Sequence, residues 1–184
     1  MTRSDAQDDW PRWATEPIEI VQWSPEWARQ AEEEIRALEI LLSPWLTAGI
    51  EHVGSTAVQG LAAKPVLDLM AGVASLDTAA EVVEVLAAND WHFVPLDLDD
   101  RPFRRFFVKV QEGRRFAHLQ TIETSDSRWS DQLTFRDSLR ADESLANDYA
   151  ELKRRLAAEY AEDREAYTEA KNNFVQSVLR PNDE

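Results

Sequence analysis

Apolar residues recur along this chain with two periods, and the switches between them divide it into elements. Residues 1–13 are polar and acidic and are expected to be a frayed tail, because they have little to bury. Residues 18–21 read as a short strand, after which Ser24-Pro25-Glu26 supplies a cap residue, a first-turn proline and a first-turn acid. Trp27, Ala31, Ile35, Leu38, Leu41 and Leu42 then fall at helical spacing, predicting a helix to about Trp45 whose Glu32, Glu33 and Glu34 mostly face water. The same spacing returns over 77–89 through Ala80, Val83, Leu86 and Ala87. Residues 91–95 predict a strand and 96–102 an acidic loop ended by proline. Residues 104–110 and 116–123 read as two strands joined by Gln111-Glu112-Gly113-Arg114, a hairpin-like connection. Beyond Trp129 the pattern is helical over 133–139, 145–160 and 165–179. This order predicts an α/β (α+β) protein, a mixed sheet flanked by helices with a C-terminal helical region.

No internal repeat or low-complexity linker interrupts the pattern, so residues 14–180 are expected to form a single domain, a size that 184 residues readily supply. A net charge of −15 argues against nucleic acid as a partner, because most of the surface would repel a phosphate backbone; a local basic site remains compatible with it. The absence of cysteine removes disulfides, thiolate zinc sites and cysteine nucleophiles. The first residues lack the apolar core of a signal peptide and no stretch reaches the ~20 apolar residues of a membrane helix, so no membrane partner and a cytoplasmic location are expected.

Residues 50–73, IEHVGSTAVQGLAAKPVLDLMAGV, carry the candidate chemistry. Strand alternation places Val66, Asp68 and Met70 on one face and Leu67, Leu69 and Ala71 on the other. A carboxylate in an otherwise apolar strand is costly to bury unless a metal, a cation or hydrogen-bond donors compensate it, which makes Asp68 a candidate catalytic residue or metal ligand. The plain alternative is an aspartate that caps a loop or pairs with an arginine. In Gly54-Ser55-Thr56 the glycine permits close backbone approach and the hydroxyls and amides are donors, the parts of an anion cradle; alone, such a tripeptide is most often just a turn. His52 titrates near neutrality and suits a base, an acid or a ligand; it reads equally as a histidine hydrogen-bonded near a strand end. His92 reads as structural. Lys64 stands at the entry to the Asp68 strand, and Arg101, Arg104, Arg105, Lys109, Arg114 and Arg115 form a basic cluster opposed within it only by Glu112. Arginine forks suit phosphate and carboxylate, whereas exposed pairing with surface acids would be worth only ~0–1 kcal/mol each.

The string HVGSTAVQGLAAKPVLDL resembles the signature of the GrpB family, whose usual form is close to HIGSTAVPGLAAKPIIDI. The resemblance continues in IVQWSPEW over 20–27, Arg105-Phe106-Phe107, His118-Leu119-Gln120 and FRDSLR over 135–140, and in Tyr149, Leu152, Lys153, Leu156, Tyr167, Lys171 and Phe174. It implies a nucleotidyltransferase-like fold in which the Gly-Ser turn leads into a helix near the phosphates of a nucleoside triphosphate. In active members of that superfamily two carboxylates one residue apart, and a third on a neighbouring strand, hold two magnesium ions. Here the position two after Asp68 is Met70, a poor ligand for a hard cation, as is usual in the family, and Gln120 stands where the family usually has a second histidine.

What the resemblance implies is therefore a nucleotide or phosphorylated small-molecule ligand with at most one well-held magnesium ion. Asp68 would be the metal ligand and His118 or His52 the proton carrier. Gly54, Ser55, Thr56, Lys64, Arg105 and Gln120 would bind substrate, and Arg136, Arg140, Lys153 and Lys171 would close the cleft from the helical tail. The alternatives are a binding module with a degenerate metal site, or a cleft turned to acid–base or ligase chemistry on a small metabolite.

Overall fold

In the computed structural model, which describes residues 13, 16–161 and 163–180, a five-stranded sheet runs in the order β1-β2-β5-β4-β3. Its strands are β1 (Leu46–Val53), β2 (Leu67–Val73), β3 (Trp91–Val94), β4 (Arg104–Gln111) and β5 (Arg114–Glu123). Only β2 and β5 pair in parallel; β1 with β2, β5 with β4 and β4 with β3 are antiparallel. Alternation along the strands splits their side chains between two faces. Leu67, Leu69, Ala71, Phe107 and Leu119 meet α1 (Glu26–Leu42) and α2 (Ala79–Ala87) through Trp27, Leu38, Leu42, Val82 and Leu86, and this is the main core.

The opposite face is covered unevenly. Helix α4 (Ser127–Ala141) lays Trp129 and Leu133 over Val53, Met70 and Ile122. Next to α4, α5 (Glu143–Glu159), α6 (Arg164–Ala170) and α7 (Asn172–Leu179) form a helical layer with cores of its own around Tyr149, Leu156 and Tyr167. Between this layer and the short helix α3 (Leu96–Asp99) the sheet is left uncovered, and a cleft of about 720 Å³ opens there.

Several expectations shift at this level. Helix α1 stops at Leu42 rather than Trp45, since Ser43-Pro44 cannot continue the ladder, and the chain turns directly into β1. The strand expected over 18–21 reduces to one bridge, Val21 with Ala63, because Ile18 instead donates its amide to the Ala161 carbonyl. The loop over 96–102 contains the single turn α3, and the helix expected over 165–179 is divided at Lys171 before Asn172-Asn173, both poor helix formers. Of the tail expected over 1–13, residues 1–12 lie outside the described residues; Trp13 stacks on His92 with ring centroids 5.8 Å apart. No helix among the described residues is long and apolar enough to cross a membrane.

Candidate functional site

The cleft is organised around two neighbouring strands. Asp68 on β2 and His118 on β5 are register partners, and His118 Nδ1 lies 3.0 Å from Asp68 Oδ1. The Asp68 side chain keeps 43% of its surface accessible, so the carboxylate forms part of the cleft wall. Burial alone would raise its proton affinity, but the His118 hydrogen bond and the charges of Lys64 and Lys171 outweigh this and hold it below the usual carboxylate value. Burial also holds His118 below its ordinary value, against the opposing pull of Asp68. At neutral pH the pair is therefore a carboxylate beside a neutral imidazole. The tautomer that satisfies both places the proton on Nδ1, donating to Asp68, and leaves the lone pair on Nε2, which is buried without a partner.

Gly54 gives the turn its place against this pair. Its φ of 69° and ψ of −169° belong to a region that is essentially glycine-only, and a Cβ there would stand 2.6 Å from Asp68 Oδ2. The following 3-10 turn, Ser55–Ala57, brings Ser55 to the cleft. Thr56 is an internal brace: its hydroxyl lies 2.9 Å from His52 Nε2 and donates to the Val66 carbonyl.

A cationic corner faces Asp68. Lys64 and Lys171 place their Nζ atoms 4.9 and 4.4 Å from the ring centroid of the buried Tyr167. Lys153, only 2% exposed, donates to the Ala62 carbonyl and lies 4.9 Å from the Tyr149 ring centroid. Burial pushes Lys153 down to about 7 and Lys171 down to about 8, and pushes Tyr167 up to about 12. Toward the other end of the cleft, Arg104 forks onto the buried Asp99 at 2.6 and 2.9 Å. It donates at 3.2 Å to Gln120 Oε1, and the Gln120 amide nitrogen in turn donates to Gln132.

Of the residues singled out in the sequence, Asp68, His118, Ser55, Lys64, Gln120, Lys153 and Lys171 line the cleft, as do Arg101, Arg104 and Arg115 of the basic cluster; Thr56 lines it with its hydroxyl already engaged, and Gly54 stands behind the lining. His52 does not join them: it pairs with Leu69 in register and so shares the core face, where burial holds it down to about 4. Arg105 is also absent from the cleft lining; its guanidinium donates to the Pro102 and Arg104 carbonyls. A plain hairpin register would pair Arg105 with Gln120, but a bulge beside Lys109 and Val110 shifts the pairing by one residue, so that Phe106 faces Gln120 and Arg104 takes the cleft side. Arg136 and Arg140 do not close the cleft either. They donate to the His52 carbonyl at 3.0 Å and to the Ala57 carbonyl at 2.9 and 3.0 Å, clamping the turn from behind. Cleft residues given no site role in the sequence include Arg104, Asp99 and Tyr167; strand parity corrected for the bulge finds Arg104.

The donor set does not fit two magnesium ions. Asp68 is the only carboxylate on its strand face, and the place of a second is taken by Met70, fully buried under α4. Among the described residues no group of three His, Asp or Glu side chains gathers as a metal site. A single cation would meet the Asp68 carboxylate with Lys64 and Lys171 already acting on it.

Comparison with known proteins agrees with this architecture. A family model described as GrpB protein matches residues 17–181. A UPF0157 protein of Bacillus subtilis (strain 168), YqkA, is 31% identical over 161 residues, covering 88% of this chain; the chain spans only 46% of that relative's length. The crystal structure of the conserved protein GrpB from Enterococcus faecalis superposes with a TM-score of 0.77 at 25% identity, covering 89% of this chain and 96% of that one. The Cid1 poly(U) polymerase with MgGTP bound superposes with a TM-score of 0.53 at 16% identity over 76% of this chain and 44% of that one, a likeness of fold alone. The fold is thus the nucleotidyltransferase-like one, and the chain belongs to the GrpB family.

Proposed function

We propose that the cleft binds a nucleotide or another phosphorylated small molecule, with its phosphates at the corner formed by Lys64, Lys153 and Lys171. The observation that carries this reading is the convergence of Lys64 and Lys171 on Tyr167 and Asp68, with Lys153 beside the Tyr149 ring, in a chain whose net charge is −15. Fixed amines in a half-enclosed site attract a polyanion far more strongly than they would in open water. They supply counter-charge where two-metal enzymes of this fold use cations. A magnesium ion enters the reading only with the phosphate oxygens of the ligand, Asp68 being its one protein ligand. Asp68 also orients the His118 ring in the cleft wall, while His118 Nε2 has no exposed surface through which a ligand hydroxyl could reach it.

A second reading, a module that binds such a ligand without turning it over, is favoured by Met70, which removes the second carboxylate. Isothermal titration with nucleoside triphosphates, with and without magnesium, tests the binding. Micromolar binding weakened at least about tenfold in Lys171→Met is the expected result. No heat from any nucleotide, or unchanged affinity in that variant, removes the proposal. Product analysis with candidate acceptors separates enzyme from binder: nucleotide consumed marks a transferase, and thermal stabilisation without turnover marks a binding module.

A further inference from the structure

The cleft has a second end that the phosphate reading does not use. Crossing the sheet from β2 through β5 and β4 to β3 takes three strand spacings, about 14 Å. Over that distance the lining changes from lysines to Val94, Pro95, Leu98, Phe106 and Trp13. Two of the three large hydrophobic side chains exposed among the described residues, Leu96 at 42% and Leu98 at 59%, stand on α3 at this end, and Leu98 lines the cleft. A one-turn helix with apolar residues open to water at the mouth of a cleft lacks a covering layer of its own. Charged groups also stand among them: Arg104 holds Asp99 in a buried fork, Arg101 reaches Asp99 at 3.6 Å, Arg115 lies over the Trp13 ring, and Asp100 is part of the lining. The two ends thus differ in kind, one formed by lysines and the other carrying the exposed apolar side chains of the cleft.

We infer that the ligand is an amphipathic anion, with a phosphate head at the lysine corner and an apolar body laid across β5 and β4 to rest against Leu98, Phe106 and Val94. This deepens the phosphate reading and rests on it for the head group. Between the two ends the β5–β4 face sets Val108 and Phe106 beside His118, Gln120 and Arg104; Gln120 is already bonded to Gln132 and Arg104 to Asp99, so the body gains its apolar contact at Leu98, Phe106 and Val94. A ligand whose far end is strongly polar would leave its own groups unpaired there.

Titration calorimetry with inorganic phosphate and with butyl, hexyl and octyl phosphate, each below its aggregation concentration, tests this. A fully buried methylene is worth about fourfold in affinity. The cleft is open on one side, so about twofold per methylene is expected, giving octyl phosphate an advantage over butyl phosphate of at least about tenfold. Leu98→Ser, at an exposed position that the fold does not need, should lower octyl phosphate affinity several-fold and leave inorganic phosphate unchanged. Octyl phosphate binding no more tightly than butyl phosphate, while both bind, overturns the apolar body and leaves the phosphate reading standing. Silence from every phosphate overturns both. Equal loss of inorganic and octyl phosphate affinity in Leu98→Ser also counts against the inference, since it would place the residue at the head group.

Discussion

Lys153 offers the most discriminating test of the cleft's electrostatics, because a buried amine leaves a signature in stability that does not depend on knowing the ligand. Its side chain is 2% exposed, and burial brings its proton affinity from the ordinary 10.5 down to about 7. At about 1.4 kcal/mol per tenfold change in affinity, this corresponds to at most about 5 kcal/mol of destabilisation when the amine is charged. The sign follows from where the proton sits. Below pH 7 the amine is charged in the folded and unfolded chain alike, and the folded protein carries the whole penalty. Between pH 7 and 10.5 the unfolded chain keeps a proton that the folded protein has released, so stability rises with pH. Lys153→Met keeps the length of the side chain and removes the amine, and it also leaves the Ala62 carbonyl without this donor, which costs about 1 kcal/mol. The variant should therefore exceed the parent by about 4 kcal/mol at pH 6 and by under about 1 kcal/mol at pH 9.5, as read by urea denaturation at both values. A difference that does not change with pH, or a variant less stable than the parent at pH 6, would refute the reasoning.

Gly54→Ala should lose about 3 kcal/mol in urea denaturation, combining a glycine-only backbone region with a Cβ 2.6 Å from Asp68 Oδ2; a loss under about 1 kcal/mol would show that the turn relaxes freely. Arg104→Ala should destabilise by about 3 kcal/mol because it strands the buried Asp99, whereas Arg105→Ala should stay within about 0.5 kcal/mol and leave phosphate affinity unchanged. In Asp68→Asn, loss of the carboxylate that supports the imidazolium should move His118 further below its ordinary value; nitrogen-resolved NMR titration would detect this, and a rise would contradict the assigned polarity of the pair.

Much of the site was legible because it obeys local rules. The Gly54 turn needs φ above zero, Asp68 and His118 sit on strands whose faces alternate, and Met70 shares the Asp68 face by the same rule. His52 is where local reasoning failed: it lies two residues from Gly54, yet pairing with Leu69 turns it to the core face, so closeness along the chain did not become closeness in the cleft. Arg105 came from the family resemblance rather than from strand parity, and one extra residue in the β4–β5 ladder gives the cleft face to Arg104.

By itself the amino-acid order determined the succession of elements, the glycine turn and the strands of the dyad, because dihedral preference and side-chain parity are properties of a few consecutive residues. Only the tertiary structure decided that Lys153, Lys171 and Tyr167 but not Arg136 and Arg140 reach the cleft from the helical tail, that α4 seals Met70 away, and that α3 leaves Leu96 and Leu98 open to water at its other end. Helical periodicity tells which face of a helix is apolar; it does not tell which part of a sheet that face will cover. That choice is made by long-range packing, and at this sheet the packing stops short and leaves the cleft.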